Sequence, residues 1–390
     1  MRAHTPRLAV PVVLLILASP CCGDGGGGGP DARVSADVGA IDASAATDDA
    51  ASAEDAAGSI VDAGTDAGPG PDAGPRECPP VACDAPLPAL GDTQPWRHTF
   101  ATPITVRLGS ARHRGRDLYL REGDPQWALA KFAYGLGDDD LKDEDVDLYL
   151  LRGCGTRWET LGTATTTNDG AHATVEGVED TGGRVFFEIP EPMRLEVGRH
   201  RIVFVVQGDH TIAEQFIEVL PPDARFVVTD VDGTQTESET AAWGSLLTGT
   251  GPASQPSGAD ALWAFARRGY HVFYLTARPE WLEPRTHAWL AEEGYPPGLV
   301  HTTLGGTGAT GAPAEEFKST ELASHVARFP DAIAYGVGNT DTDAASYASI
   351  GLPPERIVSY RFDAGAVATR MDDYAELVTI AEAMPSVCGP

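Results

Sequence analysis

Phe226-Val227-Val228-Thr229-Asp230 is a short apolar run that ends in a carboxylate, and Val231-Asp232-Gly233-Thr234 follows at once. A run this short and this rich in β-branched residues reads as a strand buried on both faces. Carboxylates at i and i+2 leave such a strand on the same side, and Gly233 frees the backbone to turn. Downstream, strands alternate with helices. The pattern predicts helices over Ala259–Arg268, Glu280–Glu293, Glu315–Phe329 and Val367–Met384. It predicts strands over Tyr270–Leu275, Leu299-Val300, Ala332–Val337 and Arg356–Tyr360. Such alternation implies a parallel sheet covered on both faces, with its ligand site beyond the C-terminal strand ends.

The polar residues fall at those ends. The second strand runs into Thr276-Ala277-Arg278, and the fourth into Gly338-Asn339-Thr340-Asp341-Thr342-Asp343. Phe317-Lys318 lies between them. The chain has three lysines, Lys131, Lys142 and Lys318, so a lysine at that place is informative. In this order Asp230/Asp232/Thr234, Thr276, Lys318 and Asp343 resemble the four motifs of the haloacid-dehalogenase (HAD) superfamily. Residues 228–236, 274–279, 317–318 and 338–347 look more closely like its lipin-type phosphatase branch. Gln235 and Thr340 depart from that pattern.

The resemblance implies a Rossmann-like HAD domain over 223–390 with no large cap, and a Mg²⁺-dependent phosphatase. Asp230 would be the nucleophile that forms an aspartyl-phosphate, and Asp232 the acid and base. Asp230, the Asp232 carbonyl and Asp343 would hold Mg²⁺, and Asp343 rather than Asp341 is the expected late ligand. Thr234, Thr276, Arg278, Lys318 and Asn339 would contact the phosphate. The expected substrate is a phosphomonoester, phosphatidate first, with a soluble phosphomonoester as the alternative. The resemblance also implies a reading of another class, a non-catalytic phosphatidic-acid-binding module. A third reading has the chain present its β domain for adhesion.

Residues 93–222 read as an all-β sandwich, immunoglobulin-like in strand spacing. Strands are expected at Ile104–Leu108, Asp117–Leu120, Val146–Leu150, Arg184–Glu188, His200–Val206 and Phe216–Leu220. Trp127, Phe132 and Tyr134 are expected in its core, and the acidic clusters 138–140 and 143–145 in solvated turns. Cys78, Cys83, Cys154 and Cys388 allow three pairings, a local Cys78–Cys83 bridge among them.

Ahead of the sandwich, residues 23–92 are rich in Ala, Asp, Gly and Pro and read as a solvated tether. Residues 1–22 combine Arg2 and Arg7 with an apolar run and end in Cys21-Cys22. This resembles a bacterial lipoprotein signal, with Cys21 or Cys22 the lipidation site, and implies export and membrane anchoring. The whole chain carries 57 acidic and 28 basic residues, a net charge of −29. That excludes nucleic acid bound through a general basic field. The partners expected are a phosphorylated substrate and the membrane.

Overall fold

The computed structural model describes residues 77–237 and 251–388. The signal, the lipidation cysteines and residues 23–76 of the tether lie outside the described residues. Residues 77–92 are not the free tether expected: disulfides at Cys78 and Cys83 pin them to the folded body. In chain order the first ten strands are β1 (Arg114–Gly115), β2 (Leu118–Arg121), β3 (Trp127–Lys131), β4 (Ala133–Tyr134) and β5 (Asp139–Asp140), then β6 (Asp145–Leu151), β7 (Trp158–Thr165), β8 (Arg184–Glu188), β9 (Gly198–Val206) and β10 (Ile212–Leu220). They form a three-stranded sheet, β1-β3-β8, and a five-stranded sheet, β2-β10-β9-β6-β7; β4 and β5 pair separately. Alternation decides which side chains enter the core. Val146, Leu148 and Leu150 of β6 point inward with Ile202, Phe204 and Val206 of β9. Phe132 and Tyr134 are buried there, as expected, and Trp127 packs at its margin.

Two expectations fail here. Ile104–Leu108 is not a strand: Thr102–Val106 forms a short helix, α1. Pro103 suits a first helical turn, and Thr102 Oγ1 donates to the buried Glu144 Oε1 (2.5 Å). The acidic clusters are not simply solvated. Asp138 binds Arg114, Asp140 binds Lys131, and Asp143 binds Arg97 and His98.

The second half contains β11 (Arg225–Thr229), β12 (Tyr270–Leu275), β13 (Gly298–His301), β14 (Ile333–Gly338), β15 (Ile357–Tyr360) and β16 (Thr369–Met371). They make one parallel sheet in the order β13-β12-β11-β14-β15-β16. The described helices are α2 (Gly258–Ala266), α3 (Glu283–Glu292), α4 (Ala312–Arg328), α5 (Asp341–Ser349) and α6 (Tyr374–Ala383). The helix expected over Val367–Met384 is divided. Thr369–Met371 adds the edge strand β16, and Asp373 then caps α6 by accepting from Ala375 N (2.9 Å).

Sandwich and parallel sheet belong to one compact unit. Buried ion pairs join them. Glu280 accepts from both Arg114 and Arg184, and Arg116 grips Glu321 at 2.7 and 2.8 Å. Tyr119 of β2 donates to Val272 O and packs edge-on against Phe226 and Phe273. Disulfides link Cys78 to Cys388 and Cys83 to Cys154, so no local Cys78–Cys83 bridge exists.

Candidate functional site

β11 is central in its sheet, and its end delivers Asp230 and Asp232 into a cavity of about 540 Å³. Gly233 turns the chain at a φ of +73°, a conformation glycine adopts without penalty. β14 contributes by what it lacks. A Cβ on Gly338 would lie 2.3 Å from the Asp343 Cβ, so only glycine leaves room for that aspartate. Asp343 stands in the first turn of α5, where Thr340 and Asp343 form a reciprocal cap. Its Oδ2 accepts from the backbone N–H of Asn339 and Thr340, and its Oδ1 accepts from Lys318 Nζ (2.5 Å). Asp341 is exposed and faces its own helix end.

Lys318, carried by α4, is buried and also donates to Asp230 Oδ1 (2.7 Å). Burial would lower the Lys318 pKa, but the Asp230 and Asp343 carboxylates outweigh it and raise it above the usual lysine range. Burial pushes the Asp230 carboxyl up to about 7 against the pull of Lys318. Thr234 Oγ1 lies 3.0 Å from Asp230 Oδ2 and 2.7 Å from Asn339 Oδ1. Thr234 therefore lies between the Asp230 carboxylate and Asn339, where phosphate contact was expected of both.

Arg278 departs furthest from expectation. It is 0% exposed, and its fork is closed on Asp232. Nε donates to Oδ2 (2.9 Å), Nη2 to Oδ1 (2.8 Å), and Nη1 to Thr286 Oγ1 (2.9 Å). Thr276 Oγ1 adds a bond to Asp232 Oδ2 (3.2 Å). Two expected phosphate ligands, Arg278 and Thr276, are thus spent on the carboxylate. Planar bidentate pairing of this kind is the strong form of the interaction.

The remaining wall of the cavity was not anticipated. Thr307, Ala309, Thr310 and Gly311 line it from the segment between β13 and α4. The signal was present as Gly305-Gly306-Thr307-Gly308-Ala309-Thr310-Gly311, glycines and threonines directly before a helix.

A second cluster lies where sandwich meets parallel sheet. Donor atoms of Asp117, Glu283 and His287 fall within 4.8 Å of one another. His287 Nε2 is 2.9 Å from Asp117 Oδ2 and 3.0 Å from Glu283 Oε1, and the backbone N–H of Phe216 and Val300 complete Asp117. Burial opposes charge on His287, yet the two carboxylates raise its pKa to about 10. The imidazolium already takes the place between the carboxylates that a bound cation would occupy.

With this geometry, the chain is similar to two family models. The LNS2 domain of PITM 1-3 matches residues 227–360, and the beta-sandwich domain of PITM 1-3 matches residues 111–219. A β-sandwich similar to the one model is therefore followed by a domain similar to LNS2. Human membrane-associated phosphatidylinositol transfer protein 2 is 33% identical over 201 residues, 51% of this chain and 14% of that protein. Human membrane-associated phosphatidylinositol transfer protein 1 is 30% identical over 257 residues, 65% of this chain and 19% of that protein. Protein retinal degeneration B of Drosophila melanogaster is 29% identical, covering 51% of this chain and 14% of itself. The chain thus spans less than a fifth of these relatives. The expected phosphatase is corrected by these findings. The relatives are named for lipid transfer, not hydrolysis, and the would-be acid/base Asp232 has both oxygens occupied by Arg278.

Proposed function

We propose that the LNS2 domain binds the phosphate headgroup of an anionic phospholipid, phosphatidate in chemical class, without hydrolysing it. The observation that carries this reading is the Arg278 clamp. A carboxyl that passes a proton to a leaving group needs a free oxygen facing the substrate. Both Asp232 oxygens instead accept N–H bonds from a buried guanidinium. The pocket keeps the means to recognise a headgroup, while the carboxyl expected to move the proton is held by a fixed cation. The names of the relatives, which specify phosphatidylinositol transfer, support a phospholipid as the partner.

Charge sets the conditions of binding. Asp230, Asp232 and Asp343 face Lys318 and Arg278, so the cluster retains one net negative charge. A phosphate dianion would be repelled unless a divalent cation accompanied it. The donors are all hard oxygens, which suits Mg²⁺. We assign Asp230, Asp343 and the Asp232 carbonyl to hold it, and the ion would supply charge compensation to the headgroup. Thr307 and Thr310 on the rim then offer hydroxyls to phosphate oxygens.

The test is calorimetric titration of the full chain with a soluble short-chain phosphatidate, in Mg²⁺ and in EDTA. Binding in Mg²⁺, weakened in EDTA, with phosphate release at the buffer background, is the expected result. Sustained phosphate release that Asp230→Asn abolishes would overturn the reading.

A further inference from the structure

One apolar face of the sandwich has no covering element among the described residues. Phe100, Ile104 and Leu108 are spaced by four through the helical turns around α1, so they share a side. They are 83%, 51% and 53% exposed. Leu136 joins them, 88% exposed at a Gly135-Leu136-Gly137 tip. A Cβ on Gly135 would lie 3.2 Å from the Leu108 Cβ, which places the tip beside the helical turn. Single exposed leucines are ordinary, but four large apolar side chains in one neighbourhood mark a contact surface.

Two cations border the face. Arg107 is exposed, and Arg112 lies over the Trp281 ring at 4.3 Å. Among the described residues neither has a carboxylate partner, although the chain is strongly acidic. Asp138 at the tip is neutralised by Arg114, and Asp139 stands exposed beside it. Trp281 Nε1 donates to Gly306 O (2.9 Å). Gly306 leads into Thr307, which lines the carboxylate pocket. The apolar face and the pocket rim are thus ends of one contact chain, Arg112–Trp281–Gly306.

We propose that this face docks on the surface of an anionic phospholipid bilayer. Leu136 and Phe100 enter the acyl boundary, Arg107 and Arg112 meet lipid phosphates, and Trp281 sits at the interface, where amphipathic rings are favoured. Charge complementarity selects the occupant: a bare apolar surface edged by unpaired arginines fits anionic lipid. This rests on the phospholipid reading of the pocket and names its source as lipid still in the membrane.

The experiment uses the full chain and two readouts. Sedimentation with phosphatidylcholine vesicles, alone or with added phosphatidate or phosphatidylserine, reads docking. Calorimetry with soluble short-chain phosphatidate reads the pocket. Both anionic vesicles should carry the protein down, those with phosphatidate more strongly. Leu136→Ser should lower vesicle partitioning about tenfold, and Phe100→Ser combined with it still further, since each apolar side chain contributes separately. Arg107→Glu, which leaves the apolar face whole, should weaken sedimentation with anionic vesicles alone. Melting temperature and soluble-ligand affinity should not change. Variants that sediment like the wild type would overturn the docking face. Vesicle binding that depends on Leu136, with no binding of soluble phosphatidate, would overturn the pocket reading and leave the docking face standing. A concentration-dependent dimer abolished by Leu136→Ser, with no vesicle binding, would show a second copy as the occupant and overturn the bilayer.

Discussion

The site is built from side chains that occupy each other. Lys318 bridges Asp230 and Asp343, and Arg278 closes on Asp232. Replacing Arg278 by Lys keeps the charge but loses the fork. It should cost about 1.5–3 kcal/mol of stability, the value of charged hydrogen bonds left unmade, read by urea unfolding. Asp343→Asn should remove the Mg²⁺ dependence of headgroup binding, whereas the exposed Asp341→Asn should keep it, read by titration in Mg²⁺ and EDTA. Gly338→Ala should mimic the loss of Asp343, because its methyl group needs the space of that side chain. The site was legible where local pattern carries it. Asp230 and Asp232 end an apolar strand, and Lys318 stands out because lysine is rare here. The partner of Arg278 was not legible: the pair spans 46 residues and exists only once β11 and β12 lie side by side.

At the scale of elements, burial decides both what was readable and what will respond to change. β12 was readable to the residue because five of its six positions, all but His271, are apolar and buried in an interior strand. The two-residue strands β1, β4 and β5 are too short to carry a period, and α1 shares its apolar spacing with a strand. Glu280, at the start of a one-turn helix, holds two arginines of the sandwich. Glu280→Gln would leave Arg184 without a counter-charge in a buried place and Arg114 with Asp138 alone. The expected loss is about 3–5 kcal/mol, measured by denaturant unfolding. α4 places His325 against Phe226, Phe273, Phe329 and Tyr119, with His301, His271, Arg328 and Glu321 nearby. Burial lowers its pKa to about 3, and burial lowers that of His113 to about 4. Below the ordinary value of 6.5 the unfolded chain takes up protons that the folded chain refuses. Their contribution to stability is therefore complete above pH 6.5 and is lost as pH falls toward 4 and then 3. Each histidine should cost about 1.4 kcal/mol per pH unit across its window. His325→Phe should make that acid limb shallower from about pH 6.5 downward in thermal melts between pH 7 and pH 3.5.

For the whole molecule, charge and composition told which partners to exclude, and strand–helix alternation told the order of the two domains. How the domains meet was not readable, since Asp117, Arg116 and Tyr119 act on residues more than 150 positions away. Anchoring at Cys21 or Cys22 stands as a proposal. Changing both to Ser should move the protein from the membrane fraction to the soluble one, read by fractionation. The Cys78–Cys388 disulfide has a mechanical consequence of its own. It closes 310 positions of chain into a covalent loop and fastens the start of that loop to the parallel-sheet domain, where Cys78 N also bonds Arg267 O. A pull on the chain before Cys78 is therefore delivered to the parallel-sheet domain first, and the sandwich, although next in sequence, is bypassed. A single protease cut anywhere within the loop leaves one molecule of unchanged mass apart from an added water, and two fragments separate only after reduction.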